Sequence, residues 1–458
     1  MKQLLVLIFI LITGTSCKKY LEEKPDIKLA VPGSIDEYQQ ILDASTMITA
    51  ISPASLGTIA ADEFYITDQT FNAQTADIRN EYTWQKDPFQ GIIIPEWTKY
   101  QYIYTANVAL EGVSNITAAN AREEEAKNRV AGHALFIRAY LHYHLEEIFG
   151  KPYKPASAAT DAGIPLRLNA LLSERTPRST VKQVFEQIIS DLNQAAALLP
   201  ATALTRNRPS QQACYAMLSR IYLTMQNYEQ AKAFADAALH INATLYDYNN
   251  LTITGTARAF AAFAAPNDFV EVLYAATQQH YNLLTGSTLI VDSTLYKSYA
   301  TNDIRKTAFF ARNASAGTYY YRGQYSGLSA IGNGPFTDEM YLNRAECLVR
   351  LNNTEAAMKD MDSLLIKRHT RNTYIPYKPA TQAEALRYVL AERKKELALR
   401  GLRWADLRRL NQETTQAVTL RRVVAGREYL LLPNSNNYTY PIPQEELQHN
   451  PLPQNERD

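Results

Sequence analysis

The sequence predicts a mainly α fold: a tetratricopeptide-like scaffold of helical hairpins with a loop-rich, irregular side. Two observations carry this. Tyr215, Leu218, Ser219, Tyr222, Ala231, Ala235 and Ala238 fall within Pro209–Asn242 at the spacing of a helical hairpin, large residues on the first helix and small ones on the second. A second copy begins near Asp338, where Tyr341, Ala345, Leu348, Ala357, Met361 and Leu364 keep the same register. The step from Tyr222 to Ala231 recurs from Leu348 to Ala357, with Asn227–Tyr228 and Asn352–Asn353 at the turns. Between the copies, residues 243–335 break the pattern with Gly, Asn, Thr and aromatics. Long irregular stretches in compact proteins tend to be functional.

The remaining elements follow in order. Lys2 is a short basic start, Leu4 to Ile12 is an apolar run too short to span a bilayer, and Gly14, Thr15 and Ser16 are small residues before Cys17. This reads as a signal peptide over residues 1–16 with a lipobox closing at Cys17, whose thiol would carry the lipid. An ordinary secretory signal beside a chance cysteine is the other reading. Residues 18–31 are a tether, and a helix is expected from Ser34 to Ala44. Residues 46–95 read as loops with short helical pieces. Trp97, Tyr100, Tyr104, Val108 and Gly112 share one face of a helix over Glu96–Ser114. A long helix runs from Ala118 to Phe149 and stops at Gly150, with Pro152 beyond. Arg178–Leu199 is helical and Pro200 ends it. One more helix is expected from Gln382 to Leu410, then a short strand at Tyr429–Leu432. Residues 17–242 and 243–458 are expected to pack as one globular unit.

Composition excludes several classes. Hydrophobic residues are 46% and charged residues 20%, so the chain is globular rather than disordered. A net charge of +1 gives no argument for nucleic acid. After Cys17 only Cys214 and Cys347 remain, too few for a disulfide framework, and both read as small buried hydrophobes.

No catalytic constellation stands out: there is no phosphate loop, no GxSxG and no HExxH. His142 and His144 are two apart on a helix and cannot chelate one metal as an i, i+4 pair would. Glu146, four after His142, reads as a weak surface pair. Asp62 and Glu63 form a carboxylate pair without a partner base. The run ERKKELALRGLRWADLRRL reads as an amphipathic helix with a solvated or interhelical charged face. No enzyme activity, cofactor or metal is expected. Sugar rings stack on aromatic faces and need polar groups nearby, so the candidate ligand residues are aromatics outside helical periodicity. Arg79, Asn80, Tyr82 and Trp84 form one group; Tyr281, Tyr319, Tyr320, Tyr321 and Tyr325 lie in the insertion.

Several segments together resemble the SusD/RagB family of Bacteroidetes nutrient-binding lipoproteins: CKKYLEEKP, EWTKYQYIYTANVALEGV, ALFIRAYLHYHLEEIFG with the following GIPLR, MYLNRAECLVRLNN, ERKKELALRGLRWADLRRLN and YTYPIPQEELQHNP. The resemblance implies the helical-hairpin scaffold already read from the repeats. It also implies a surface lipoprotein anchored in the outer membrane, partnered with a SusC-like TonB-dependent transporter, binding oligosaccharides or, in the RagB branch, peptides. Lys18 and Lys19 depart from an acidic start that favours surface export. A protein-interaction lipoprotein of envelope assembly is the alternative reading of the repeats.

Overall fold

The computed structural model describes residues 32–44, 51–260, 269–314, 316–325 and 330–458. Cys17, the leader before it and the tether after it lie outside these residues. The principal helices are α1 (Ile35–Asp43), α2 (Tyr100–Ser114), α3 (Ala121–Phe149), α4 (Val181–Leu198), α5 (Gln211–Thr224), α6 (Tyr228–Ile241), α7 (Thr337–Arg350), α8 (Thr354–Leu365), α9 (Gln382–Glu396) and α10 (Arg403–Leu410).

The starts of these helices follow from local chemistry. Ser34 opens α1 with a capping box: its hydroxyl accepts the Glu37 N–H, and the Glu37 carboxylate accepts the Ser34 N–H. Thr180 and Gln183 do the same for α4. The two repeats use one turn chemistry. Gln226 and Asn352 each take a positive φ, and the following Asn227 and Asn353 cap the second helix by accepting the N–H groups of Gln230 and Ala356.

The helices pack in one continuous row. α3 lies between α2 and α4, α4 meets α5, α5 pairs with α6, α6 packs on α7, and α7 holds both α8 and α9. The two predicted hairpins are therefore direct neighbours, although residues 242–336 separate them in sequence. Ala231, Ala235 and Ala238 are fully buried, so the second helix of the hairpin lies close against its neighbours. Cys214 and Cys347 are both buried and free.

Four two-stranded antiparallel ladders punctuate the described residues: β1 (Phe64–Tyr65) with β4 (Ile290–Val291), β2 (Ala162–Pro165) with β3 (Arg178–Thr180), β5 (Phe310–Asn313) with β6 (Thr318–Tyr321), and β7 (Leu420–Val424) with β8 (Arg427–Leu431). The C-terminal strand is thus half of a hairpin whose first strand the sequence reading missed. Within residues 46–95, expected to be loops with short helical pieces, the helical pieces are Ser55–Ala60, Asp68–Asn72 and Ala76–Tyr82.

The helix expected over Gln382–Leu410 is broken between Glu396 and Arg403. Leu399 and Gly401 take positive φ values of 61° and 75°. The break is buried and pinned: the Leu399 N–H donates to Glu63 Oε1 at 2.8 Å, and Asn333 Nδ2 donates to the Arg400 carbonyl at 2.9 Å. A Cβ at Gly401 would lie 2.8 Å from Asn333 Nδ2, so both its dihedrals and its neighbours require glycine.

Gly112 is the contact through which α2 receives α1. A Cβ there would lie 2.0 Å from the Tyr38 ring. The Gly112→Ala variant is expected to push Tyr38 out of its seat and lower stability by about 1–3 kcal/mol, read as a fall in the urea midpoint with the slope unchanged. An unchanged midpoint would mean that α1 is not held by this contact.

Candidate ligand-binding face

The irregular side has its own apolar core. Ile59, Phe64 and Tyr82, from before α2, meet Tyr248, Phe260, Phe269, Phe309, Phe310, Tyr321, Tyr325 and Phe336 of the insertion. Phe71, Tyr281, Tyr296 and Tyr319 are partly buried and pack against it as a rim.

Four of the nine candidate ligand residues are interior, which corrects the sequence reading. Tyr82 is 1% exposed and Trp84 5%. The guanidinium of Arg422 lies 3.7 Å from the Tyr82 ring centre and 4.7 Å from that of Trp84. It donates to the carbonyls of Ile59, Ala61 and Tyr82. The two rings therefore enclose this chain's own arginine, leaving no free face for a ligand. Trp84 Nε1 donates to the Ala60 carbonyl at 3.0 Å. Tyr321 and Tyr325 are also buried; their hydroxyls meet the Gly323 carbonyl and the Tyr248 hydroxyl. For these four the alternative reading of an aromatic outside helical periodicity, local packing, holds, because irregular backbone buries rings as well as helices do.

The other candidates lie nearer solvent. Arg79 and Asn80 are half-buried, and Arg79 Nη1 donates to the Gln74 carbonyl at 2.6 Å. The Tyr281 hydroxyl donates to the buried Glu96 carboxylate at 2.9 Å. Burial raises Glu96 above the usual carboxylate range. Tyr319 stacks on Tyr296, ring centres 3.6 Å apart and planes within 17°. Tyr319 and Tyr320 are half-buried neighbours on β6, where strand alternation sends them to opposite faces.

Tyr296 was missed because it stands alone in DSTLYKSY, at helical spacing from nothing aromatic but Tyr299. Its signal was the cap: Asp292 accepts the Leu295 N–H and starts the short helix Ser293–Ser298. Lys306 Nζ lies 5.1 Å from the Tyr296 ring centre, and exposed Arg312 pairs across the ladder with Tyr319. Tyr65, 37% exposed, belongs to the β1–β4 ladder, whose β4 strand packs beside β6. The arrangement offers an aromatic surface with cationic donors beside it. Tyr296 and Tyr319 are each half-buried, so part of both side chains faces solvent.

A larger groove of about 790 Å³ runs between Lys86–Gly91 and the segment from Asn436 to Asp458. Its one aromatic, Phe89, is buried against Tyr440 at 5.9 Å, so it presents no free ring face.

The histidines are interior. Burial lowers His142 to about 3 and takes His144 well below its ordinary value. Glu146 is fully buried rather than half of a surface pair. Glu271, Asp338 and Glu396 present carboxylate oxygens within 4.8 Å of one another. Arg368 bonds Glu271 and Glu396, and Arg400 bonds Asp338, so guanidinium groups already neutralise this trio.

Two family descriptions match the chain. One, "Starch-binding associating with outer membrane", a SusD-like family, covers residues 19–223. The other, the SusD family, covers residues 338–456. A tetratricopeptide repeat matches 213–244, the first hairpin. The chain belongs to the SusD/RagB family. A SusD-like protein P2 of Formosa agariphila is 28% identical over 256 residues, which is 53% of this chain and 47% of that protein; the match spans about half of the relative's length. Among solved structures, a SusD superfamily protein from Bacteroides thetaiotaomicron superposes with a TM-score of 0.74 at 20% identity, over 93% of this chain and 100% of that one. A SusD-like carbohydrate binding protein from Bacteroides vulgatus superposes with a TM-score of 0.69 at 18% identity, over 92% and 97%. At these identities the likeness shows the fold.

Burial raises Glu146 to about 8 and Glu63 to about 7. Both stay protonated in the fold where the unfolded chain is already ionised. Their stabilising contribution is complete below the ordinary value of 4.5 and is lost as pH rises through their folded values. The thermal midpoint is expected to fall between about pH 5 and about pH 8, and Glu146→Gln to flatten that fall. A Glu146→Gln profile parallel to wild type would place the titration elsewhere.

Proposed function

We propose that the protein is a non-enzymatic lipoprotein that binds oligosaccharides on the tyrosine face and delivers them to a SusC-like TonB-dependent transporter in the outer membrane. The half-exposed Tyr296–Tyr319 stack carries this reading. A pyranose ring has an apolar face that lies on an aromatic ring, while its hydroxyl oxygens accept from donors such as Lys306 and Arg312. An open platform leaves much of the ligand solvated, which favours modest affinity and tolerance of chain length. Family membership supports the reading, as does the carbohydrate-binding description of a structural neighbour. Peptide is the second ligand class, because the RagB branch takes peptides.

Catalysis is not part of the proposal. His133, His142 and His144 are buried and held neutral, poor material for an acid–base pair at a surface site. The anchor is the Cys17 lipid, with residues 18–31 as a leash that keeps the receptor beside its transporter. More than one acyl chain, at about 0.8 kcal/mol per buried methylene, gives stable attachment. Among the described residues no helix is long and apolar enough to cross a membrane.

Glycan-array screening followed by calorimetry tests the binding role. Tyr296→Ala and Tyr319→Ala are each expected to weaken glycan binding by about tenfold, the scale of one lost aromatic contact, with little change in melting temperature. Trp84→Ala instead lowers stability by about 3–5 kcal/mol, as expected for a core ring. Binding unaffected in the double tyrosine variant would move the site elsewhere; no binding to any glycan or peptide, and no co-purifying transporter, would remove the function. Cys17→Ser is expected to release a folded protein that still binds ligand but no longer supports efficient uptake. Full uptake by that variant would refute the leash.

A further inference from the structure

We propose that the ligand of the tyrosine face is an anionic oligosaccharide, bearing carboxylate or sulfate groups on its rings, and that Arg312 selects it. The inference rests on the reading of that face as the glycan site and adds the charge of the glycan. Its first support is a guanidinium held beside the stack without a partner. Arg312 and Tyr319 are directly opposed on the β5–β6 ladder. Opposed residues of an antiparallel pair share one face of the sheet, with Cβ atoms about 4.5–5.5 Å apart. Arg312 is exposed, and among the described residues its side chain has no hydrogen bond or ion pair. The β7–β8 hairpin shows the contrasting case, where exposed Arg421 bonds the Glu428 carboxylate of the neighbouring strand. The β5–β6 ladder has no such group to offer, because Phe310–Asn313 and Thr318–Tyr321 contain no acid.

The second support is the sign of the charge around it. From Ser293 to Tyr325 the chain has one acid, Asp303, which is buried against Arg305. The cations of this stretch outside the interior are Lys297, Lys306 and Arg312. Lys306 stands at the other ring of the stack. Its Nζ lies 5.1 Å from the Tyr296 ring centre and spends one of its three protons on the Tyr299 carbonyl at 2.8 Å. The β1–β4 ladder, which packs beside β6, contains no acid either. Asp292, just before the stretch, is engaged as a cap, its Oδ1 accepting the Leu295 N–H at 2.8 Å. Each ring of the stack therefore has a cation beside it, on a chain whose net charge is only +1.

Orienting neutral hydroxyls does not need charge, since amide and hydroxyl side chains serve as well. An unpaired guanidinium adds a planar fork that meets a carboxylate or sulfate with two parallel bonds, each about twice as strong as a neutral one. A sugar ring stacked on Tyr319 carries its substituents to the edge of the stack, where Arg312 stands. A ring that bears an anion there gains the pair that the chain itself leaves unmade.

Calorimetry with tetragalacturonate and its methyl ester, the same chain without charge, tests the assignment. A sulfated galactose tetrasaccharide and its desulfated form are the second pair of probes. At least one anion is expected to bind about tenfold more tightly than its uncharged counterpart at low salt, the scale of one charge-assisted hydrogen bond, and the tighter anion identifies the group. Added salt is expected to narrow the gap. Arg312→Gln is expected to bring the ratio close to one and Arg312→Lys to keep part of it. Arg421→Gln, which removes the same charge from the other hairpin, is expected to leave the ratio intact. Equal affinity for anion and counterpart, a ratio that survives Arg312→Gln, or a ratio lost equally in Arg421→Gln would each overturn the assignment. Binding of neutral glycans alone, or of a polyglutamate peptide in place of both anions, would overturn it too. Neutral binding that Tyr319→Ala abolishes would still leave the tyrosine face standing as a glycan site. Binding of no glycan, or glycan binding indifferent to Tyr296→Ala and Tyr319→Ala, would remove the face itself and this inference with it.

Discussion

The architecture depends on a set of buried arginine–carboxylate pairs that tie the irregular side to the helical row. Glu396, at the end of α9, gives one oxygen to Arg305 at 2.9 Å and the other to Arg368 at 2.6 Å. Arg368 continues to Glu271 at 2.8 Å, and Arg305 to Asp303 and Glu392, each at 2.7 Å. Arg400 reaches Asp338 at the start of α7. Burial and neighbouring carboxylates push Glu271 upward against the pull of Arg368, while Arg368 and Arg305 outweigh burial and hold Glu396 low. Apolar contact is non-directional, whereas a planar guanidinium accepts a carboxylate in few orientations. The desolvation penalty is recovered only when those orientations are met; losing one partner costs about 3–5 kcal/mol because a charge is left alone. The network thus specifies where residues 271–305 sit against α7 and α9, which apolar packing alone leaves loose.

This is also where the sequence was hardest to read. The hairpins were legible because their signal is local: Tyr222, Ala231 and Ala235 recur at helical spacing within one repeat, and Asn353 repeats the turn chemistry of Asn227. Their adjacency in space extended that reading without changing it. The charged run after Glu392 gave a misleading signal. Glu392, Arg393, Lys395, Glu396, Arg400, Asp406, Arg408 and Arg409 are all buried, although charge ordinarily marks a solvated face. Lys395 pairs with Glu392, and Asp406 with Arg393 and Arg409, inside the run, but Arg409 also reaches Glu346 and Glu396 reaches Arg305, and no short window of sequence contains those two pairs. The break at Leu399–Gly401 was hidden for the same reason, since Glu63, Gln278 and Asn333 hold it from outside.

The proposed ligand face follows from composition and only partly from position. An excess of tyrosine in an irregular insertion singled out the region where that face is proposed, because tyrosine serves both packing and recognition. It did not separate the two roles. Tyr321 and Tyr319 are two apart on one strand and point to the same side, yet the first is interior and the second lies at the rim. What divides them is their ring neighbours: Tyr321 packs on the buried Phe309 and Phe310, and Tyr319 on the half-buried Tyr296. Tyr82 and Trp84 differ from rim residues through Arg422, more than 330 positions later.

The same network bears on the proposed recognition. Tyr319 stands on the β5–β6 ladder, and β5 follows directly from the helix of Arg305, whose guanidinium is fixed by three carboxylates. Tyr296 stands on the helix capped by Asp292, whose N–H donates to the Glu63 carbonyl. The two rings thus meet from separately anchored elements, and their stacking is set before any ligand arrives. Ordering a side chain on binding costs about 0.5–1.5 kcal/mol, so a pre-stacked pair has little left to lose. Stacking also has a consequence for specificity. Each tyrosine spends one face on the other, so the pair presents an outer face rather than a clamp. A single aromatic face does not distinguish one sugar ring from another, and discrimination falls to the donors beside it. Lys306 is flexible and Arg312 planar, so Arg312 is the better placed to select the orientation of adjacent hydroxyls.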